Sequence, residues 1–112
     1  MKNFTKSKIL SLLIFLFISG HLAGQTGSIE GTVTDKATSV SLIGTTVQID
    51  GTTIGTTTDV NGHFLLPNLK PGSYDLKISY VSYKTKVVEN VKVQSGQSTS
   101  IRIELEGNLV SL

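Results

Sequence analysis

The chain has 112 residues and a mass of 12.0 kDa, which sets a ceiling of one compact domain with a modest core. It contains no cysteine, so disulfide staples and thiolate metal sites are excluded. The formal charge of +2 is misleading, because three of the ten basic residues (Lys2, Lys6, Lys8) precede an N-terminal apolar run; the remaining seven face eight acidic residues, a net of about −1. A basic stripe of the kind that grips nucleic acid is therefore not expected.

The opening MKNFTKSKILSLLIFLFISGHLAGQ has the three parts of a secretory signal: lysines, an apolar run from Ile9 to Ile18 broken by Ser11, and small residues from Ser19 to Gly24. The run is about half of what a membrane-spanning helix needs. A signal peptide over residues 1–24 is expected, cleaved after Gly24, with Ala23 as the neighbouring alternative. A buried or membrane-anchoring N-terminal helix is the competing reading. Without a cysteine at the junction, lipid attachment through a thiol is excluded. The mature domain itself is not expected to span a membrane.

From Gly27 onward the pattern has period two, the mark of strands with one buried face. Ile29, Gly31 and Val33 share a face, the polar run DKATSVS reads as a loop, and Thr45, Val47 and Ile49 form a second face. Asp50-Gly51 predicts a tight turn before the threonine-rich run Thr52–Thr58, which suits an edge or half-exposed strand. Gly55 within it leaves room for a neighbouring backbone. Asp59-Val60-Asn61-Gly62 predicts another turn, after which Phe64 and Leu66 return to the core. Pro71-Gly72 suits the centre of a type II turn. Tyr74, Leu76, Ile78 and Tyr80 then mark a central strand, with the two tyrosine hydroxyls expected in water. Tyr83, Thr85 and Val87 predict one strand and Val91 with Val93 another; Ser95-Gly96 turns, and Ile101, Ile103 and Leu105 close the domain. Seven or eight short strands without a helical stretch predict an all-β sandwich of two antiparallel sheets. The domain is expected over residues 25–106, with 107–112 a tail or the start of a linker.

Residues able to do chemistry are sparse. His63 is the one histidine outside the leader, beside a turn. Asp59, Asn61 and Gly62 resemble a calcium loop faintly, but the run proceeds into Phe64-Leu65-Leu66-Pro67 without the closing glutamate. No serine has a nucleophile-elbow context, and nothing forces two of Asp35, Asp59 and Glu104 together for acid–base work. The glycines fall at turns and between strands instead of in a phosphate-cradling loop. No catalytic residue, metal ligand or cofactor is expected, and the chain does not read as an enzyme. Two features suit contact with a partner: the cluster Tyr80, Tyr83 and Lys84, and the threonine-rich strand as an edge for strand addition. For both, plain packing and solvated β surface is the competing reading.

In combination, Gly31-Thr32-Val33-Thr34-Asp35, Leu42-Ile43-Gly44-Thr45-Thr46-Val47, Gly51 to Asp59, Asn61-Gly62-His63-Phe64, Leu69-Lys70-Pro71-Gly72-Ser73-Tyr74 and Ser79-Tyr80-Val81-Ser82-Tyr83 resemble the carboxypeptidase regulatory-like domain. The resemblance runs from Ile29 to Leu105 and implies a seven-stranded sandwich of transthyretin-like, or immunoglobulin-like, topology. Ser41 stands where that family commonly has proline, Thr45 where alanine is usual, and Asn61 where aspartate is frequent. A signal peptide followed directly by such a domain is similar to the front of TonB-dependent outer-membrane receptors of the Bacteroidetes kind. The resemblance implies an accessory role on the periplasmic side of the outer membrane, with the receptor's own plug and barrel or other envelope proteins as partners. The alternative is a stand-alone periplasmic or surface-associated module that binds carbohydrate or protein. A third class, the accessory domain of a peptidase, would require an attached catalytic domain with zinc ligands.

Overall fold

The computed structural model describes residues 25–108, so the expected signal peptide lies outside the described residues. Seven strands follow in order: β1 (Gly27–Asp35), β2 (Thr46–Ile49), β3 (Gly55–Thr57), β4 (His63–Leu69), β5 (Gly72–Ser79), β6 (Lys86–Val93) and β7 (Ser98–Leu105). They form two sheets, one ordered β4-β1-β7 and the other β3-β2-β5-β6. The inner faces meet in one core. Ile29, Val33, Phe64, Leu66, Leu69, Ile103 and Leu105 come from the first sheet; Val47, Ile49, Leu76, Ile78, Val91 and Val93 come from the second. Each such side chain contributes about 1.5–3 kcal/mol on burial, which is what offsets ordering so short a chain.

The all-β sandwich is as the alternation predicts, and four of its five strand pairings are antiparallel. The pairing of β1 with β7 is parallel, from Ser28 opposite Ser98 to Asp35 opposite Leu105. Short connections make every strand reverse the one before it, so odd-numbered strands all run the same way. Odd–even neighbours are then antiparallel, and the one odd–odd contact, first strand against last, has to be parallel. At the centre of this sheet Gly31 is obligatory: a Cβ there would lie 2.3 Å from the Ile101 carbonyl oxygen and 2.8 Å from the Phe64 ring.

Two edge strands carry bulges, and these shift the pattern read from the sequence. In β4 the register slips between Ile29–Leu66 and Gly27–Leu69, with Asn68 at φ 58°. In β6 it slips between Leu76–Val88 and Tyr74–Val91, with Asn90 at φ 58° and its N–H donated to Asp75 Oδ1 at 3.0 Å. The extra residue reverses the phase of β6, so Val88 faces inward and Val87 stays 46% exposed. The strands expected at Tyr83–Val87 and Val91–Val93 are thereby corrected to one bulged strand that starts at Lys86. The type II turn expected at Pro71-Gly72 is also corrected. The two-residue link Lys70-Pro71 passes from one sheet to the other, and Gly72, at φ 157°, already begins β5. The Tyr74 hydroxyl is not left to water either: it donates to the Lys70 carbonyl across this crossing.

Candidate functional site

The strand directions gather one set of loops at the Asp35 end of β1: residues 36–45, 58–62 and 80–85, together with the segment that follows β7. Beneath them sits a buried polar knot. Thr58 Oγ1 donates to the Leu42 carbonyl and accepts the Thr45 N–H at 2.9 Å, while Thr45 Oγ1 reaches the same carbonyl at 3.4 Å. Both threonines are buried, so these bonds satisfy groups that water cannot reach.

Tyr80 and Tyr83 close a turn at this end. The Tyr83 N–H donates to the Tyr80 carbonyl at 3.1 Å, and Ser82 between them has φ 69°. Their rings meet at a centroid distance of 5.6 Å with a 35° tilt, and both are partly buried against the core. The structure thus brings the two expected tyrosines together. It also ties Tyr83 down, since its hydroxyl donates to Asp35 Oδ2 at 2.6 Å. The other Asp35 oxygen accepts the N–H groups of Ala37 at 2.8 Å and Thr38 at 3.0 Å. The tyrosine donor, followed by these backbone bonds, holds the Asp35 carboxyl below its ordinary range; the same bond pushes the Tyr83 phenol up.

The Lys84 ammonium belongs to an adjoining groove. Its Nζ lies 3.5 Å from Glu106 Oε2, and Lys36 Nζ lies 3.5 Å from Glu106 Oε1. Lys84 first, then Lys36, lowers the Glu106 pKa. With Lys86, whose Nζ donates to the Glu104 carbonyl at 3.2 Å, they line a surface groove of about 330 Å³. All three Glu106–lysine partners are more than half exposed, so these pairs orient side chains and add little stability. Past β7 the backbone pairs onward: the Lys84 N–H donates to the Glu106 carbonyl at 2.9 Å, and the Asn108 N–H to the Ser82 carbonyl at 2.7 Å, with Tyr83 opposite Gly107.

Sequence reasoning weighed Asp35 only as a carboxylate that nothing forced toward another, and it did not single out Lys36 or Glu106. An aspartate at a strand end followed by Lys-Ala-Thr was a readable signal for the turn, but its tie to a tyrosine 48 positions away was not. Besides the buried Thr58, the threonine-rich run contributes the three-residue edge strand β3, beside a shallow groove of about 380 Å³ lined by Thr46, Gln48, Thr53, Gly55, Thr56 and Thr57. His63 is exposed on β4, with Nε2 3.9 Å from Glu30 Oε2. Asp59 serves the neighbouring turn, where Oδ1 accepts the N–H groups of Asn61 and His63 at 2.9 and 3.0 Å. Among the described residues, no three His, Asp or Glu side chains gather as a metal ion would require.

The model of the CarboxypepD_reg-like domain family matches residues 29–112. Among individual proteins, the TonB-dependent receptor P3 of Formosa agariphila is 24% identical over 107 residues; the match takes in 96% of this chain and 10% of the receptor. The chain therefore spans about a tenth of that relative's length. Among solved structures, a type II cohesin–X–dockerin complex from Acetivibrio cellulolyticus superposes with a TM-score of 0.60 at 27% identity, covering 70% of this chain and 56% of that one. The minor pilin GBS52 of Streptococcus agalactiae shares the fold, with a TM-score of 0.58 at 16% identity over 79% of this chain and 47% of the pilin.

Proposed function

The chain belongs to the CarboxypepD_reg-like domain family, and on that footing we propose that it is a non-catalytic accessory and interaction domain at the periplasmic front of a TonB-dependent outer-membrane receptor. The observation that carries this reading is the similarity to one such receptor along 96% of the chain. The leader composition supports export, and the placement of the carboxylates supports a role without catalysis. Asp35 and Asp59 are engaged as acceptors in turns, and Glu106 is neutralised between two lysines. In this reading the domain positions or contacts, and the plug and barrel that would carry out uptake lie elsewhere in a longer polypeptide.

The test is the intact mass of the native product in fractionated envelopes, detected with an antibody raised against this domain. A large product in the outer membrane is expected. A small soluble periplasmic species would overturn the receptor assignment and favour the second reading, a stand-alone binding module for carbohydrate or protein. The tilted Tyr80–Tyr83 pair is the observation that favours that reading, because the part of an aromatic ring left exposed suits sugar rings and peptide side chains alike. Under it, Tyr80→Ala would abolish binding in a glycan or protein screen without unfolding the domain.

A further inference from the structure

A three-stranded sheet faces a four-stranded one, with β3 packed beside β4 and β6 beside β7. The shortfall shows in burial. On the β4 side Phe64 and Leu66 are sealed, whereas on the β7 side the inward-facing Ile101 and Val88 are only partly buried. The four sheet edges also differ. Edge strand β3 has three residues, and β4 and β6 are bulged, features that discourage further pairing. Strand β7 has neither, for it keeps one register against β1 from Ser98 to Leu105. Its odd-numbered carbonyls turn toward β1, as the Lys36 N–H donated to the Leu105 carbonyl and the Ile101 oxygen beside Gly31 show. The even-numbered ones face away, as the Glu104 carbonyl does toward Lys86 Nζ. Ser98, Ser100, Arg102 and Glu104 therefore present backbone N–H and C=O groups on an edge that no strand among the described residues covers.

The chain already uses this edge further along. There Tyr83 and Lys84 lie beside it in the antiparallel sense, with the Lys84 N–H on the Glu106 carbonyl and Tyr83 opposite Gly107. A strand added in line with them would turn alternate side chains inward over Ile101 and Val88, which calls for apolar residues. The others would stand beside Arg102 and, at the Lys84 end, Lys86. Neither cation has a carboxylate partner among the described residues. Lys86 Nζ holds the Glu104 carbonyl at 3.2 Å, the acceptor that an incoming N–H would use, and so guards the edge against unselective pairing. A carboxylate on the incoming strand would draw that ammonium away. We propose that the β7 edge, from Ser98 to Glu104, takes an extended segment of another protein, alternating apolar and acidic residues, as a fourth strand of the first sheet. This inference rests on the domain being an interaction module and not on its place in a receptor, so the fractionation above and the titration below can fail separately.

The test is an NMR titration of the full chain with a synthetic peptide of alternating valine and glutamate, against a valine–lysine peptide as control. The acidic peptide is expected to bind with a Kd below about 1 mM. Its shifts should gather at residues 86–88 and 98–104, and the amides of Ser100, Arg102 and Glu104 should exchange about tenfold more slowly or better. Arg102→Glu changes an exposed side chain and should weaken binding at least about threefold. Ser100→Pro removes an outward N–H that β1 does not use, so it should abolish binding while the β1 amides keep their protection. No binding of the acidic peptide, equal binding of the lysine peptide, or shifts that gather on β3 would overturn the proposal. So would shifts at 98–104 that grow with the chain's own concentration, which would assign the edge to a second copy.

Discussion

Two residues show how little latitude the fold leaves at single positions. Thr58 satisfies two buried backbone groups with one hydroxyl, whereas Thr45 shares an acceptor that Thr58 already serves, and at a longer distance. Thr58→Val should therefore cost about 1–3 kcal/mol, since it strands the Thr45 N–H and leaves the Leu42 carbonyl only the longer bond from Thr45 Oγ1. Thr45→Val should cost clearly less, and urea denaturation of the pair checks the order. Gly31→Ala should cost about 1–3 kcal/mol or more, because the added methyl meets a backbone carbonyl that cannot swing away. Phe64→Leu clears the ring contact and leaves the carbonyl in place, so it should fail to rescue Gly31→Ala in the same measurement. At Tyr83, removal of the hydroxyl deprives Asp35 of its strongest proton-donating partner. Tyr83→Phe is expected to let the Asp35 pKa rise toward its ordinary value, as followed by NMR titration.

Among the elements, β6 is the most exacting. Its bulge places Val91 and Val93 in the core only because one residue is accommodated at positive φ. Asn90→Gly should be neutral or mildly stabilising, whereas Asn90→Val should cost about 1–2 kcal/mol by forcing a β-branched residue into the left-handed region. Thermal unfolding of the two variants separates them. The bulge also marks how much could be read from the sequence alone. In β1, β5 and β7 the alternation ran unbroken, so Ile29, Val33, Leu76, Ile78, Ile103 and Leu105 were legible as core. In β6 the same rule pointed to Val87, because an inserted residue changes phase without changing composition. The asparagines in Pro-Asn-Leu and Glu-Asn-Val were the available hints, since asparagine tolerates positive φ. Of the candidate site, the Tyr80–Tyr83 contact was readable from close spacing. The Asp35 and Glu106 partners were not, for they depend on which loops the sandwich stacks at one end.

Across the whole molecule, Asp35, Asp59 and Glu106 all hold protons less tightly when folded than when free. Between the folded and unfolded pKa values the unfolded chain binds more protons, so acid favours unfolding. Their contribution is complete above the ordinary carboxylate range near pH 4 and is lost as pH falls through the lowered folded values. Tyr83 acts in the opposite sense: its raised pKa makes its contribution complete below about pH 10 and lost above it. The melting temperature should therefore fall at both extremes, and Asp35→Asn should shallow both slopes. The parallel pairing of first and last strands carries a mechanical consequence. The N-terminal end of β1 and the C-terminal end of β7 lie at opposite ends of one hydrogen-bonded ladder. Tension applied through the two termini would load that ladder lengthwise, in shear, so that its bonds resist together instead of unzipping one at a time. A domain strung between an anchor and a pulled segment would then behave as a stiff coupling that transmits force along the chain.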